Sequence, residues 1–213
     1  MEKSQSPLVI VVDDDVHMRE ALRNLFKSVG MEVELFGSTS ELLVRLAKGT
    51  PESCLVLDIR LPGVSGLDFQ NQLATVGNNI PIIFMTGHGD VLMSVRAMKA
   101  GAIDFLTKPF RDQDMLDAVS NALARDSSRR ASEGEMSALM TRYESLTMRE
   151  RQVLALVTTG LMNKQIAGDL GLSEITVKIH RGHAMEKMGV RTLADLVKAY
   201  ETISPRLKTP VPT

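Results

Sequence analysis

Five residues in the first half of the chain have the types and spacing to act together on a phosphoryl group: Asp13, Asp14, Asp58, Thr86 and Lys108. Asp13 and Asp14 close the apolar run LVIVV, and Asp58 closes CLVL. If these runs are neighbouring strands, their carboxyl ends meet in one crevice. Three carboxylates a few ångströms apart repel, so the arrangement calls for a cation, and oxygen-only ligands favour Mg²⁺. Such a site suits phosphoryl chemistry: the ion neutralises phosphoryl oxygens while a carboxylate attacks phosphorus. Thr86 precedes a Gly87/Gly89 loop, where its hydroxyl can donate to a phosphoryl oxygen, and Lys108 brings an ammonium. Lys108-Pro109 is a candidate cis peptide.

Blander readings stand beside these. Consecutive aspartates at a strand end also serve turns and helix N-caps, which is the preferred reading for Asp15. Asp13 and Asp14 depart from it because Asp58 recurs at the corresponding end of another strand. Taken singly, Thr86 is a loop threonine, Lys108 a solvated charge, and His88 a loop histidine with no second His or Cys near it.

The elements that must position these residues follow from periodicity. Short β-branched runs at 8–13, 32–36, 54–58, 81–85 and 103–107 alternate with helical patterns, which predicts five βα units around a doubly wound parallel sheet. The first, third and fourth runs are unbroken apolar, as central strands covered on both faces should be; the second and fifth are more polar and read as edges. Met18, Ala21, Leu22, Leu25, Phe26 and Val29 recur at helical spacing, and Ser38 with Glu41 makes a capping-box signal. Residues 126–143 are rich in Ser and charge and read as an interdomain linker, with room for helix on either side of Gly134. From Leu146 the pattern is purely helical: Thr147 and Glu150 form a second capping-box signal, helices follow near 163–170, 174–188 and 192–203, and Pro205, Pro210 and Pro212 mark a non-helical tail.

Composition supports the division. Residues 1–120 carry a net charge of −5 and residues 121–213 carry +4, an acidic front joined to a basic back. The single cysteine, Cys54, excludes an intramolecular disulfide framework and a Cys-rich zinc site, fits a reducing compartment, and reads as a small buried residue. The six-residue apolar run near the N-terminus is too short for a signal peptide core, and no run approaches the roughly 18 residues of a membrane span. The expected location is the cytoplasm, without membrane attachment.

In the helical end, Ala167, Gly171 and Val177 stand at positions 5, 9 and 15 of a helix-turn-helix counted from Asn163. The small residue permits close helix contact, the glycine makes the turn, Val177 packs inward, and Ser173 is a natural N-cap. At about 100° per residue, Val177, Ala184 and Met188 share the inward face, with His180 at its margin. Ile175, Lys178, Ile179, Gly182, His183 and Glu186 face outward. Two outward isoleucines suit thymine methyl groups, Lys178 suits a guanine edge or a phosphate, and Gly182 permits close approach to a duplex. A small helical bundle with an ordinary polar face remains the alternative. Residues 144–213 carry a net charge of only +3, so strong DNA binding calls for a dimer on two half-sites.

The segments VVDDD, LVLDIRLPGVSG, MTGHGD and FLTKPF resemble the receiver domain of two-component response regulators, over about residues 7–125. LTMRERQVL, GLMNKQIAGDLGLSEITVKIHR and EKMGVRTLADLV resemble the four-helix LuxR-type DNA-binding domain, so the chain is similar to the NarL/FixJ class of transcriptional regulators, in its FixJ-like branch. The resemblance implies a receiver over 1–125 with strand order 2-1-3-4-5, a linker over 126–143 and an all-α four-helix helix-turn-helix domain over 144–213. It implies that Asp58 accepts a phosphoryl group from a sensor histidine kinase, that Asp13, Asp14, Asp58 and the Arg60 carbonyl hold Mg²⁺, and that Thr86 and Lys108 contact the phosphoryl group. Phe105 would be the switch aromatic; without a hydroxyl it can act only through packing. Lys178 and Ile179 would contact bases, Thr176, Arg181 and Lys187 the DNA backbone, and Gly182 departs from the polar residue often found there. Homodimerisation on phosphorylation, promoter DNA and RNA polymerase are the implied partners.

Two other functions compete. A Mg²⁺-dependent phosphatase with an aspartyl nucleophile on the first strand would need D-x-D-x-T or D-x-D-x-V, and His17 breaks that pattern. A module whose helical end binds protein predicts no salt-dependent affinity for DNA.

Overall fold

A computed structural model describes residues 6–87 and 91–207. His88, Gly89 and Asp90 of the MTGHGD segment, and Pro210 and Pro212 of the tail, lie outside the described residues. The chain divides into two compact units, Met1–Arg130 and Ala131–Thr213.

The first unit is built on β1 (Leu8–Val12), β2 (Glu32–Phe36), β3 (Ser53–Asp58), β4 (Ile82–Thr86) and β5 (Asp104–Thr107). All pairings are parallel, in the order β2-β1-β3-β4-β5. β1, β3 and β4 are buried along their whole length, whereas β2 and β5 are partly exposed, matching the edge positions expected from their polarity. Because strand side chains alternate between faces, each central strand feeds two cores. Val9, Val11, Cys54, Val56, Ile83 and Met85 pack on α1 (Val16–Ser28) and the start of α5 (Asp112–Glu144), through residues such as Phe26 and Met115. Ile10, Val12, Leu55, Leu57, Ile82 and Phe84 pack on α2 (Thr39–Leu46), α3 (Gly66–Thr75) and α4 (Val91–Lys99), through Leu42, Phe69 and Ala97.

Residues 126–143, read from sequence as a linker, are helical throughout and lie within α5. Asp126 is fully buried: its carboxylate accepts from the Ser53 amide at 3.0 Å and from Arg129 and Arg130, and Arg130 reaches the Thr50 carbonyl at 3.1 Å. Local i,i+3 and i,i+4 ion pairs thus support a stretch that composition alone suggests is irregular.

In the second unit α6 (Met148–Thr158), α7 (Asn163–Leu170), α8 (Glu174–Met188) and α9 (Leu193–Ile203) surround a core of Val153, Leu154, Ile166, Val177, Met188 and Leu196. The Thr147/Glu150 capping box is formed in both directions, at 2.8 and 3.3 Å. Gly171 ends α7 at φ +65°, the left-handed conformation that turns the chain into α8. Ser173 caps α8 by accepting from the Thr176 amide at 3.1 Å. Pro205 falls in a short 3₁₀ turn that closes α9. No described helix is long and apolar enough to cross a membrane.

Candidate functional site

Parallel strands leave all their carboxyl ends on one edge of the sheet, and between β1 and β3 that edge opens into the crevice where Asp13 and Asp58 meet. Asp13 is fully buried, Asp58 is 7% exposed and Asp14 is exposed. One ligand oxygen from each of the three lies within 4.8 Å of the others. Lys108 completes the group: its Nζ donates to Asp13 Oδ2 at 2.6 Å and to Asp58 Oδ2 at 2.7 Å. The remaining oxygen of each aspartate accepts a backbone amide, Asp15 N to Asp13 Oδ1 and Arg60 N to Asp58 Oδ1, both at 2.9 Å. Both carboxylates are therefore oriented by the turn that follows their own strand.

The charges respond to burial and to each other. Burial pushes the Asp13 carboxyl above the usual range, and the ammonium of Lys108 only partly offsets it. Burial alone would lower Lys108, but its hydrogen bonds to Asp13 and Asp58 outweigh that and raise it, so it stays charged. Two buried carboxylates sharing one ammonium, with the exposed Asp14 beside them, are still one-sided in charge, and their donors are all oxygen. Asp13, Asp14 and Asp58 therefore fit a hard divalent cation such as Mg²⁺.

Thr86, the last residue of β4, is fully buried beside the crevice, and its carbonyl accepts from the Lys108 amide at 2.7 Å. The Lys108-Pro109 peptide is cis. Phe105 is half-buried on edge strand β5, paired with Phe84 of β4 and packed against the α2/α3/α4 core. Arg60 contributes its amide, with its side chain exposed. Asp15 caps α1 by accepting from the His17 amide at 2.8 Å. Gly66, quoted in the sequence only as part of a motif, has a steric role there: a Cβ on it would lie 2.7 Å from the Asp58 carbonyl oxygen and 3.0 Å from the Ile59 Cα. The glycine lets α3 begin directly against the end of β3.

In the second unit, Val177, Ala184 and Met188 are buried and His180 is half-buried, while Ile175, Lys178, Ile179 and Gly182 are exposed. The other residues named from family resemblance have protein partners. Thr176 Oγ1 lies 2.8 Å from Ser173 Oγ, Arg181 Nη1 donates to Asn163 Oδ1 at 3.2 Å, and Lys187 Nζ donates to Glu150 Oε2 at 2.7 Å. Glu150 is 3% exposed and also faces His183 Nδ1 at 3.8 Å. Burial would raise its carboxyl, but Lys187 and the Thr147 amide hold it below the ordinary value. The capping-box spacing identified Glu150 as a helix starter; its link to α8 left no local signal.

The comparisons agree with this geometry. Residues 9–120 match the response regulator receiver domain, and residues 144–200 match the bacterial regulatory proteins of the luxR family. Nodulation protein W of Bradyrhizobium diazoefficiens is 56% identical over 202 residues, covering 95% of this chain and 88% of that protein. The transcriptional regulatory protein FixJ of Azorhizobium caulinodans is 42% identical over 193 residues, covering 89% of this chain and 90% of that protein. Among solved structures, the response regulator StyR aligns with a TM-score of 0.80 at 50% identity, covering 92% of this chain and 98% of that one. Full-length FixJ from B. japonicum aligns at 0.57 and 34% identity, covering 95% and 99%. A receiver sheet with its acidic crevice, followed on the same chain by a LuxR-type helix-turn-helix, places this protein in the NarL/FixJ family of response regulators, as a two-component, DNA-binding transcription regulator.

Proposed function

We propose that Asp58 is the phosphoacceptor and that its phosphorylation by a sensor histidine kinase promotes dimerisation and promoter binding. The observation that carries this reading is the convergence of Asp13, Asp58 and Lys108 within hydrogen-bond distance at the carboxyl ends of β1, β3 and β5. A carboxylate oxygen of Asp58 attacks phosphorus, the P–N bond to the donor imidazole breaks, and the imidazole leaves with its electron pair and takes up a proton. Asp13, Asp14, Asp58 and the Arg60 carbonyl would hold Mg²⁺, which supplies charge neutralisation at the phosphoryl oxygens. Lys108 exchanges one of its carboxylate partners for a phosphoryl oxygen, and the Thr86 hydroxyl donates to another. Phe105, paired with Phe84 two residues before Thr86, repacks as Thr86 moves. The chain is a phosphoacceptor that takes part in its own phosphotransfer, not a dedicated enzyme.

For output, α8 enters the major groove. Lys178, Ile179 and Gly182 approach base edges, and Thr176, Arg181 and Lys187 lie along the backbone, the last two by extending past their partners Asn163 and Glu150. Working boundaries are a receiver over 1–125, a linker over 126–143 and the DNA-binding domain over 144–213, with the buried Asp126 tying the first turn of the linker to the receiver. The proposed dimer face surrounds Val91, Val95 and Lys99, all exposed on α4. RNA polymerase at the promoter is the further partner, and the cytoplasm the compartment.

The test treats the purified chain with acetyl phosphate and Mg²⁺, then follows intact mass and sedimentation. A gain of one phosphoryl group, absent in Asp58→Ala, together with a shift to dimer, is expected. Unmodified mass refutes the acceptor role; a modified monomer refutes the dimer switch. Genome-wide DNA capture with and without Asp58→Ala then reads duplex binding and its dependence on the acceptor together.

A further inference from the structure

The outward face of α8 carries two isoleucines that its own unit leaves bare. Ile175 is 73% and Ile179 50% exposed, one helical turn apart and opposite the buried Val177, Ala184 and Met188. β-branched residues are weaker helix formers than Ala or Leu, and an exposed isoleucine gains nothing from the core beneath it. Stability therefore accounts for neither residue. The side chains best able to hydrogen-bond along a duplex are engaged within the protein: Arg181 with Asn163, Lys187 with Glu150, and the Thr176 hydroxyl with Ser173. The exposed Lys178 is the donor that adjoins the isoleucines. Beyond Ile179, a Cβ built on Gly182 meets nothing within 4 Å, so this part of the face can lie close to a groove.

Base-edge chemistry narrows what such a face can read. In the major groove, adenine is selected by a bidentate Asn or Gln and guanine by Arg or Lys, whereas thymine presents an apolar 5-methyl group. The face has no amide side chain; besides the Lys178 ammonium, the His183 imidazole and the Glu186 carboxylate, it offers two aliphatic side chains. We propose that α8 selects its half-site chiefly through thymine methyl groups, Ile175 and Ile179 each covering one, with Lys178 donating to a guanine or thymine acceptor beside them. This rests on the reading that α8 enters the major groove.

The test uses the full chain treated with acetyl phosphate and Mg²⁺. Duplexes are selected from a random library, and the winning sequence is resynthesised with deoxyuridine in place of each thymine in turn, which removes only the methyl group. Affinity should fall about fourfold at each covered thymine and stay level elsewhere. Ile175→Ala and Ile179→Ala should each erase the thymine-over-uracil preference at its own position. Both residues are exposed, so an unchanged thermal transition is expected to accompany that loss. Tight duplex binding with less than about 1.5-fold methyl preference everywhere overturns the proposal while leaving DNA binding intact. So does full retention of the preference in both alanine variants, the result expected if the face serves a protein partner. Failure to select any duplex overturns the DNA-binding reading itself, and the proposal with it.

Discussion

Lys108→Met keeps most of the side-chain stem and removes the ammonium that joins Asp13 to Asp58. Its consequences follow from the crevice geometry. The Lys108 side chain is 18% exposed, that of Asp13 1% and that of Asp58 10%, so the ammonium and both carboxylates are largely withdrawn from water. Removing one partner of a buried ion pair costs about 3–5 kcal/mol, because the other charge is left uncompensated. Asp13 has an escape, since burial already pushes its carboxyl upward and a proton can replace the lost ammonium. The lower end, about 3 kcal/mol, is therefore expected at pH 7 in chelator, a fall in melting temperature of roughly 10 °C for a unit of this size. Mg²⁺ should then stabilise the variant more than the parent, because no ammonium competes for the same oxygens; a ligand at 100 times its Kd contributes about 2.7 kcal/mol. The assay can separate the units. The chain has no Trp, and both tyrosines, Tyr143 and Tyr200, belong to the core of the second unit. A far-UV circular dichroism transition that is silent in tyrosine fluorescence reports the first unit. If that transition in chelator lies within about 2 °C of the parent, or if Mg²⁺ raises both proteins equally, the charge argument for the crevice is wrong.

Three further outcomes follow from the same structure. Gly66→Ala pushes a methyl group against the Asp58 carbonyl and the Ile59 backbone, so a loss of about 1–3 kcal/mol and slower phosphoryl uptake from acetyl phosphate are expected; a parental rate by intact mass would contradict the steric role. Asp126→Ala strands the buried Ser53 amide and should cost the first unit about 3 kcal/mol, with Asp126→Asn costing roughly half, read as a shift of the urea midpoint; no shift would detach this turn of α5 from the receiver's stability. Glu150 is held below its ordinary value in the folded state, so its contribution is complete above about pH 4.5 and is lost as pH falls through the lowered value. Tyrosine fluorescence of the second unit should show that acid limb, and Glu150→Gln should flatten it; an identical limb in the variant would remove Glu150 as its source.

Much of the protein was legible before any coordinates. Apolar runs ending in Asp13 and Asp58 identified central strands and the chemistry at their ends, because burial on both faces demands unbroken apolar sequence whatever packs against it. The polar character of Glu32–Phe36 and Asp104–Thr107 marked the sheet edges for the same reason. Cap signals at Thr147 and Ser173 and the glycine at 171 set the helix starts and the turn of the second unit, since caps and left-handed turns are settled within three or four residues.

Contacts between distant segments were settled only by the tertiary structure. Lys108 reaches Asp13 across 95 residues and Asp58 across 50, Asp126 reaches Ser53 across 73, and Lys187 reaches Glu150 across 37. Periodicity tells which face of an element is buried, but not which side chain on a neighbouring element stands opposite. That depends on strand register and helix packing, to which many residues contribute at once. Sequence by itself therefore determined the class of fold, the two-part organisation and the residue types able to do the chemistry. Folding decided which carboxylate each cation neutralises, which glycine lets a helix touch a strand, and which polar side chains of α8 are engaged by α6 and α7.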